Sequence, residues 1–212
     1  MDFERLLTIV ADEPLFESDL LLAGEVNPQS VRVQLTRWKN SGRLYQLRRG
    51  LYALAPPYRK IKPHPFVVAN RILRASYVSC QSALAFYNLI PENVPRTISL
   101  TGGRASHWET PLGVYHYHHI KTTRFRGYRL VDLGGGQEAF VATPEKALLD
   151  LVYLQPQGDS PAYLAELRLQ NLEKLDMDEL RRQAGWFEAP KMRRAVEQVT
   201  SLAQDEREYE LL

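Results

Sequence analysis

The residues best equipped to do chemistry with a partner stand in one short stretch. Asn27 followed by Pro28 predicts a helix start, because Asn caps free amides and Pro suits the first helical position. At about 100° per residue, a helix from Pro28 to about Asn40 turns Val31, Leu35 and Trp38 to one side. The opposite side carries Gln29, Val33, Thr36, Arg37 and Asn40, flanked by Ser30 and Arg32. These side chains suit base edges: Arg takes guanine, Gln or Asn takes adenine, and Val packs on a thymine methyl. The N-terminal end of such a helix enters a major groove, so Gln29, Arg32, Val33 and Thr36 are the expected base readers, with Ser30 beside them. Arg37, Lys39 and Arg43 are expected on phosphates. Arg48 and Arg49 precede Gly50 at a hairpin tip, where they are expected to enter a minor groove or clamp its phosphates.

The elements around this stretch have a recognisable order. Phe3, Leu6, Leu7 and Val10 fall on one face of a helix over residues 2–11, ended by Asp12-Glu13-Pro14. Ser18 is expected to cap a second helix, Asp19–Leu22, closed near Gly24. After the third helix, Leu44–Leu47 and Leu51–Leu54 read as two strands of a hairpin. Three helices and a hairpin within about 55 residues is the order of a winged helix-turn-helix. Four prolines between Ala55 and Pro65 read as a stiff basic linker. Beyond it, helices at Pro65–Leu73 and Gln81–Tyr87 bracket a strand at Tyr77–Val78. A block of strands then runs from Thr97 to Val141, and the chain ends in helices starting at Thr143-Pro144. The expected fold is α+β. A winged helix-turn-helix occupies 1–55, a linker 56–65, and a larger α+β domain with a mainly antiparallel sheet and C-terminal helices 66–212.

Composition narrows the function classes. The chain has 212 residues, 44% of them hydrophobic, and a net charge of +2. That is a globular composition. No apolar run is long enough for a membrane helix, and the charged start Met1–Arg5 does not read as a signal peptide, so a cytoplasmic protein is expected. The single cysteine, Cys80, excludes an internal disulfide and a Cys-based zinc site within one chain. The charge is unevenly distributed. From Val26 to Pro91 there is no Asp or Glu but eleven Lys or Arg, and Asp205–Glu210 is acidic. A long acid-free basic stretch is the footprint of a polyanion-binding surface.

Other constellations point elsewhere with less force. His116 and His118 share one side of a strand and could share a metal with His107 or Glu109. The same pattern suits a half-buried strand with polar residues outward. Glu145, Lys146 and Asp150 raise the question of a nuclease, but Glu and Lys are adjacent at a helix start, where Glu145 suits the helix dipole. No residue is singled out as catalytic or metal-ligating, and no cofactor is expected. Trp108, Trp186 and Phe187 suit either core packing or a partner surface.

Two segments carry a family resemblance. Tyr77–Glu92, with Ser79, Ser82-Ala83-Leu84, Tyr87 and Leu89-Ile90-Pro91-Glu92, resembles a segment of the AbiEi antitoxins of type IV toxin–antitoxin systems. Ala142–Asp150 is similar to the helix start of that family, and Gly50-Leu51-Tyr52 after two arginines is similar to its wing. The matches span about residues 1–155. Asn88 stands where the family has Gly; Asn tolerates the left-handed backbone that such a helix end needs. The resemblance implies a repressor that binds its own promoter on double-stranded DNA through the winged helix. It also implies an antitoxin that counters a nucleotidyltransferase-like toxin of the same operon without a stable complex. A ligand-sensing winged-helix transcription factor and a DNA-targeted nuclease are the rival readings, and a winged helix can also serve as a protein–protein module.

Overall fold

Asp2 opens the first helix by accepting the Arg5 amide at 2.8 Å, and α1 (Phe3–Val10) buries Phe3, Leu6 and Val10. Strand β1 (Phe16–Glu17) and a 3-10 turn over Ser18–Leu22 follow. The computed structural model describes residues 1–22, 27–92 and 94–210. The helix stop expected at Gly24 lies outside the described residues. The second helix is corrected to that 3-10 turn. Ser18 lies inside it rather than capping it, with its hydroxyl 3.4 Å from Asp19 Oδ1.

Helix α2 (Pro28–Asn40) starts as the sequence predicts. Asn27 Oδ1 accepts the Gln29 amide at 2.9 Å and the Ser30 amide at 3.4 Å. Gly42, at φ +72°, turns the chain into β2 (Leu44–Arg48). Gly50, at φ +80°, makes the tip before β3 (Leu51–Leu54). β1 adds to the far side of β3, so this small sheet has the order β1-β3-β2.

The larger part contains α3 (Pro65–Ile72), β4 (Ser76–Val78), α4 (Cys80–Phe86), β5 (Arg96–Thr101), β6 (Ser106–Thr110), β7 (Gly113–His119), β8 (Tyr128–Asp132) and β9 (Glu138–Ala142). Helices α5 (Pro144–Leu154), α6 (Pro161–Glu166), α7 (Met177–Ala184) and α8 (Pro190–Glu210) complete it. The fold is α+β. Its six strands have the order β6-β7-β5-β4-β9-β8. β4–β9 and β5–β7 are parallel and the other three pairs antiparallel, so the sheet is mixed rather than mainly antiparallel. Strand direction is set by partners far apart in the chain, which local periodicity does not report. Tyr117 donates to the Ala69 carbonyl of α3 at 2.7 Å, and Tyr77 to Asp150 of α5 at 3.0 Å, which places these two helices on opposite faces of the sheet. Asn88 has φ +58° and lets Leu89 N close α4 on the Leu84 carbonyl, the left-handed stop expected of an Asn there.

Two apolar cores result, and the hairpin belongs to both. Phe3, Leu6, Val31, Leu35, Trp38, Tyr52 and Leu54 are among the residues of the smaller one. Leu47, Leu51 and Ala53 join the larger one, which fills both faces of the six-stranded sheet. Alternate residues of β3 therefore enter different cores, and all four are buried. The stretch 56–65 also packs down. The Tyr58 ring meets Phe3 edge-on at 4.9 Å, and the His64 amide donates to Gln137 Oε1 at 2.8 Å. Among the described residues, no helix is long and apolar enough to cross a membrane.

Candidate nucleic-acid interface

α2 buries one side and leaves the other in solvent. Val31, Leu35 and Trp38 are 2–6% exposed, while Gln29, Ser30, Arg32, Val33, Thr36, Arg37 and Lys39 are all exposed. Val33 is 42% exposed, a β-branched apolar side chain on an otherwise polar face. Among the described residues, Arg32, Arg37, Lys39 and Arg49 have no carboxylate within 4.0 Å. Thr36 turns its hydroxyl back to the Arg32 carbonyl at 2.9 Å. The Arg43 guanidinium lies over the Phe3 ring of the smaller core at 4.9 Å, a cation–π contact that helps set its position.

The two arginines of the hairpin tip part company. Arg49 is exposed. Arg48 folds back: its Nε donates to the Arg71 carbonyl at 3.3 Å, its Nη1 to the Arg49 carbonyl at 3.0 Å, and it lies 3.6 Å from Glu17. The expectation of a two-arginine tip is corrected to one outward arginine and one that joins the hairpin to the end of α3. The cause is the burial of the hairpin's other face on the larger core, which brings α3 within reach.

Glu17 is the residue that sequence reasoning missed. Both its oxygens accept from Arg74 Nη2, at 2.6 and 2.5 Å. That hydrogen bond holds its carboxyl below the usual range; burial opposes it, and the charges of Arg74, Arg71 and Arg48 add to the lowering. Nothing local marks Glu17, because its partners stand 31 and 57 residues away. Between α2 and the hairpin lies a cleft of ≈ 470 Å³ bordered by Arg32, Thr36, Arg48, Arg49, Glu17 and Asp19.

Two other constellations resolve differently. Glu145, Lys146 and Asp150 are buried, and Lys146 pairs with Asp150. Asp150 also accepts from Ser79 at 2.7 Å and Tyr77 at 3.0 Å, and Glu145 accepts the Asp176 amide at 3.1 Å. Burial raises the Asp150 carboxyl and lowers the Lys146 ammonium, each opposed by the other's charge. His107 stands opposite His116 across β6–β7 with ring centroids 5.9 Å apart. Among the described residues, no three His, Cys, Asp or Glu side chains are grouped to hold a metal ion. Of the acidic C-terminal stretch, Glu206 accepts the Asn171 and Leu172 amides at 3.0 and 2.9 Å, so it is engaged inside the molecule.

No protein-family model matches this chain, and no curated protein matches it. Among solved structures it is similar to the RV2827C protein from Mycobacterium tuberculosis, with a TM-score of 0.54 and 15% identity. The match covers 92% of this chain and 76% of that one. The likeness is one of fold.

Proposed function

We propose that this protein is a DNA-binding transcriptional regulator whose first 55 residues act as a winged helix-turn-helix. The observation that carries the reading is the exposed side of α2, where Gln29, Arg32, Val33, Thr36, Arg37 and Lys39 face solvent together. Arg and Gln there can pair with base edges, and Val33 gains by covering a thymine methyl. Arg37, Lys39 and the outward Arg49 supply charge for phosphates. Arg43, fixed over Phe3, is a preset cation at the edge of the same surface.

The likeness of Tyr77–Glu92 and Ala142–Asp150 to AbiEi antitoxins supports a more specific reading. The protein represses its own promoter, and its larger part counters a nucleotidyltransferase-like toxin without forming a stable complex. These two segments meet in the fold through the Tyr77–Asp150 and Ser79–Asp150 hydrogen bonds. Residues that carry the likeness, Ser79, Lys146 and Asp150 among them, thus join one buried network of this chain, which supports reading the two segments as one framework.

The test has two arms. Purified protein is titrated against the duplex upstream of its own gene and against a shuffled duplex, over a range of salt. Preferential binding with a negative salt slope is expected; equal binding to both, or none in dilute salt, removes the regulator reading. Co-expression with a nucleotidyltransferase encoded beside it tests the antitoxin reading, which fails if growth arrest persists.

A ligand-sensing regulator is the second reading. An open hollow of ≈ 600 Å³ bordered by Phe66, Phe86, Tyr115, Asn88, Glu92 and Arg96 favours it, since mixed apolar and polar walls with both signs of charge suit a small polar ligand.

A further inference from the structure

Glu17 lies where the two cores meet. Arg74, just past α3, grips both of its oxygens with one nitrogen, and Arg48 of the hairpin approaches it to 3.6 Å. Arg48 in turn donates to the Arg71 carbonyl, which fixes the end of α3 beside the hairpin tip. Arg71 is exposed there. Arg48, Arg71 and Arg74 thus bring their charges to bear on Glu17, which borders, with Asp19, Arg48 and Arg49, the cleft whose other wall is Arg32 and Thr36. Arg71 and Arg74 themselves line a separate hollow that also holds Glu138.

A carboxylate that offers two oxygens to adjacent guanidinium groups presents the same acceptor pattern as the two free oxygens of a phosphodiester. We propose that Arg71 and Arg74 of the larger part extend the duplex-binding surface, and that the Glu17 carboxylate occupies a phosphate's place among these arginines until DNA displaces it. This rests on the DNA-binding reading above. The arrangement makes the larger part a contributor to affinity. It also means that an isolated anion meets a site already filled, whereas a duplex gains Arg49 and the α2 cations at the same time and can outcompete the internal acid. Loss of a like charge alone also tightens binding, so the competitor role is read from Arg74: with Glu17→Gln in place the freed Arg74 takes a phosphate and its removal cancels the gain, whereas a purely structural Glu17 leaves the gain intact when Arg74 is removed.

The experiment measures duplex affinity against salt for the full chain. Glu17→Gln is expected to bind about fivefold more tightly, through loss of a like charge beside the phosphates. Arg74→Ala placed in the Glu17→Gln background is expected to cancel that gain. Arg71→Ala, at an exposed side chain, is expected to reduce the salt slope by about one unit with an unchanged melting temperature. Weaker or equal binding by Glu17→Gln overturns the competitor role, and an unchanged slope in Arg71→Ala overturns the extended surface. If the unsubstituted protein binds no duplex, the regulator reading itself fails. If it binds and the three variants do not respond, only the present inference fails.

Discussion

Lys146 Nζ and the Asp150 carboxylate form an ion pair one turn apart on α5, with neither side chain reaching solvent. Tyr77 and Ser79, at the end of β4, complete the pair: both hydroxyls donate to Asp150, and the Tyr77 oxygen accepts from Lys146 at 2.9 Å. The helix that opens at Thr143 is thereby tied to the middle of the sheet. A paired and fully hydrogen-bonded charge is tolerated in a core, whereas a lone one is not.

Removing one partner of this pair strands the other. Lys146→Met is expected to lower stability by about 3–5 kcal/mol. Adding Asp150→Asn recovers part of the loss, because the amide oxygen still accepts from Ser79 and Tyr77 while the buried charge is gone. Denaturant titration of the two variants checks this. A double variant no more stable than the single one argues against the charge as the cause.

The α2 face and the hairpin tip separate binding from folding. Val33→Asp is expected to weaken duplex binding at least tenfold by placing a like charge against phosphates, with little change in melting temperature, since Val33 is 42% exposed. Arg49→Ala is expected to act in the same way, with a salt slope smaller by about one. Arg48→Ala is expected to lower the melting temperature as well, because Arg48 bonds the Arg71 carbonyl and meets Glu17. Equal melting temperatures for the two arginine variants would contradict the folded-back position of Arg48.

Asn27 sets the start of α2. Asn27→Ala leaves the Gln29 and Ser30 amides without their cap and is expected to cost about 1 kcal/mol. Frayed residues at that end include Gln29 and Ser30, so on the proposed regulator reading duplex affinity is expected to fall too. Asn27→Asp, which keeps an acceptor, retains the stability but adds a negative charge near the groove. Thermal melts and duplex titrations on the two variants distinguish cap from charge.

Glu17 gives a pH dependence of known sign. Its folded carboxyl titrates below its ordinary value because Arg74 hydrogen-bonds the ionised form. The stabilisation is therefore present above the unfolded value of about 4.3, and is lost as pH falls through the lower folded value. The stability difference between the unsubstituted protein and Glu17→Gln is expected to shrink on acidification from pH ~7 to pH ~3. A difference that stays constant over that range shows that the carboxylate charge is not what Arg74 holds.

What the sequence by itself determined is what one or two turns of chain decide. Asn27-Pro28 and Thr143-Pro144 announce helix starts because a cap and its amides are two or three residues apart. The outward position of Arg32, Val33 and Arg37 follows from the period that buries Val31, Leu35 and Trp38. Asn88 carries its own left-handed stop. Leu51–Leu54 reads as an apolar strand, but nothing in it says that its two faces meet different cores. Only the tertiary structure decided the parallel pairing of β5 with β7, the return of Arg48 to α3, and the grip of Arg74 on Glu17 across 57 residues of chain. Those contacts depend on which surfaces are buried together. Burial is a property of the whole packed chain, so which charges stay outside is settled only when the cores have closed.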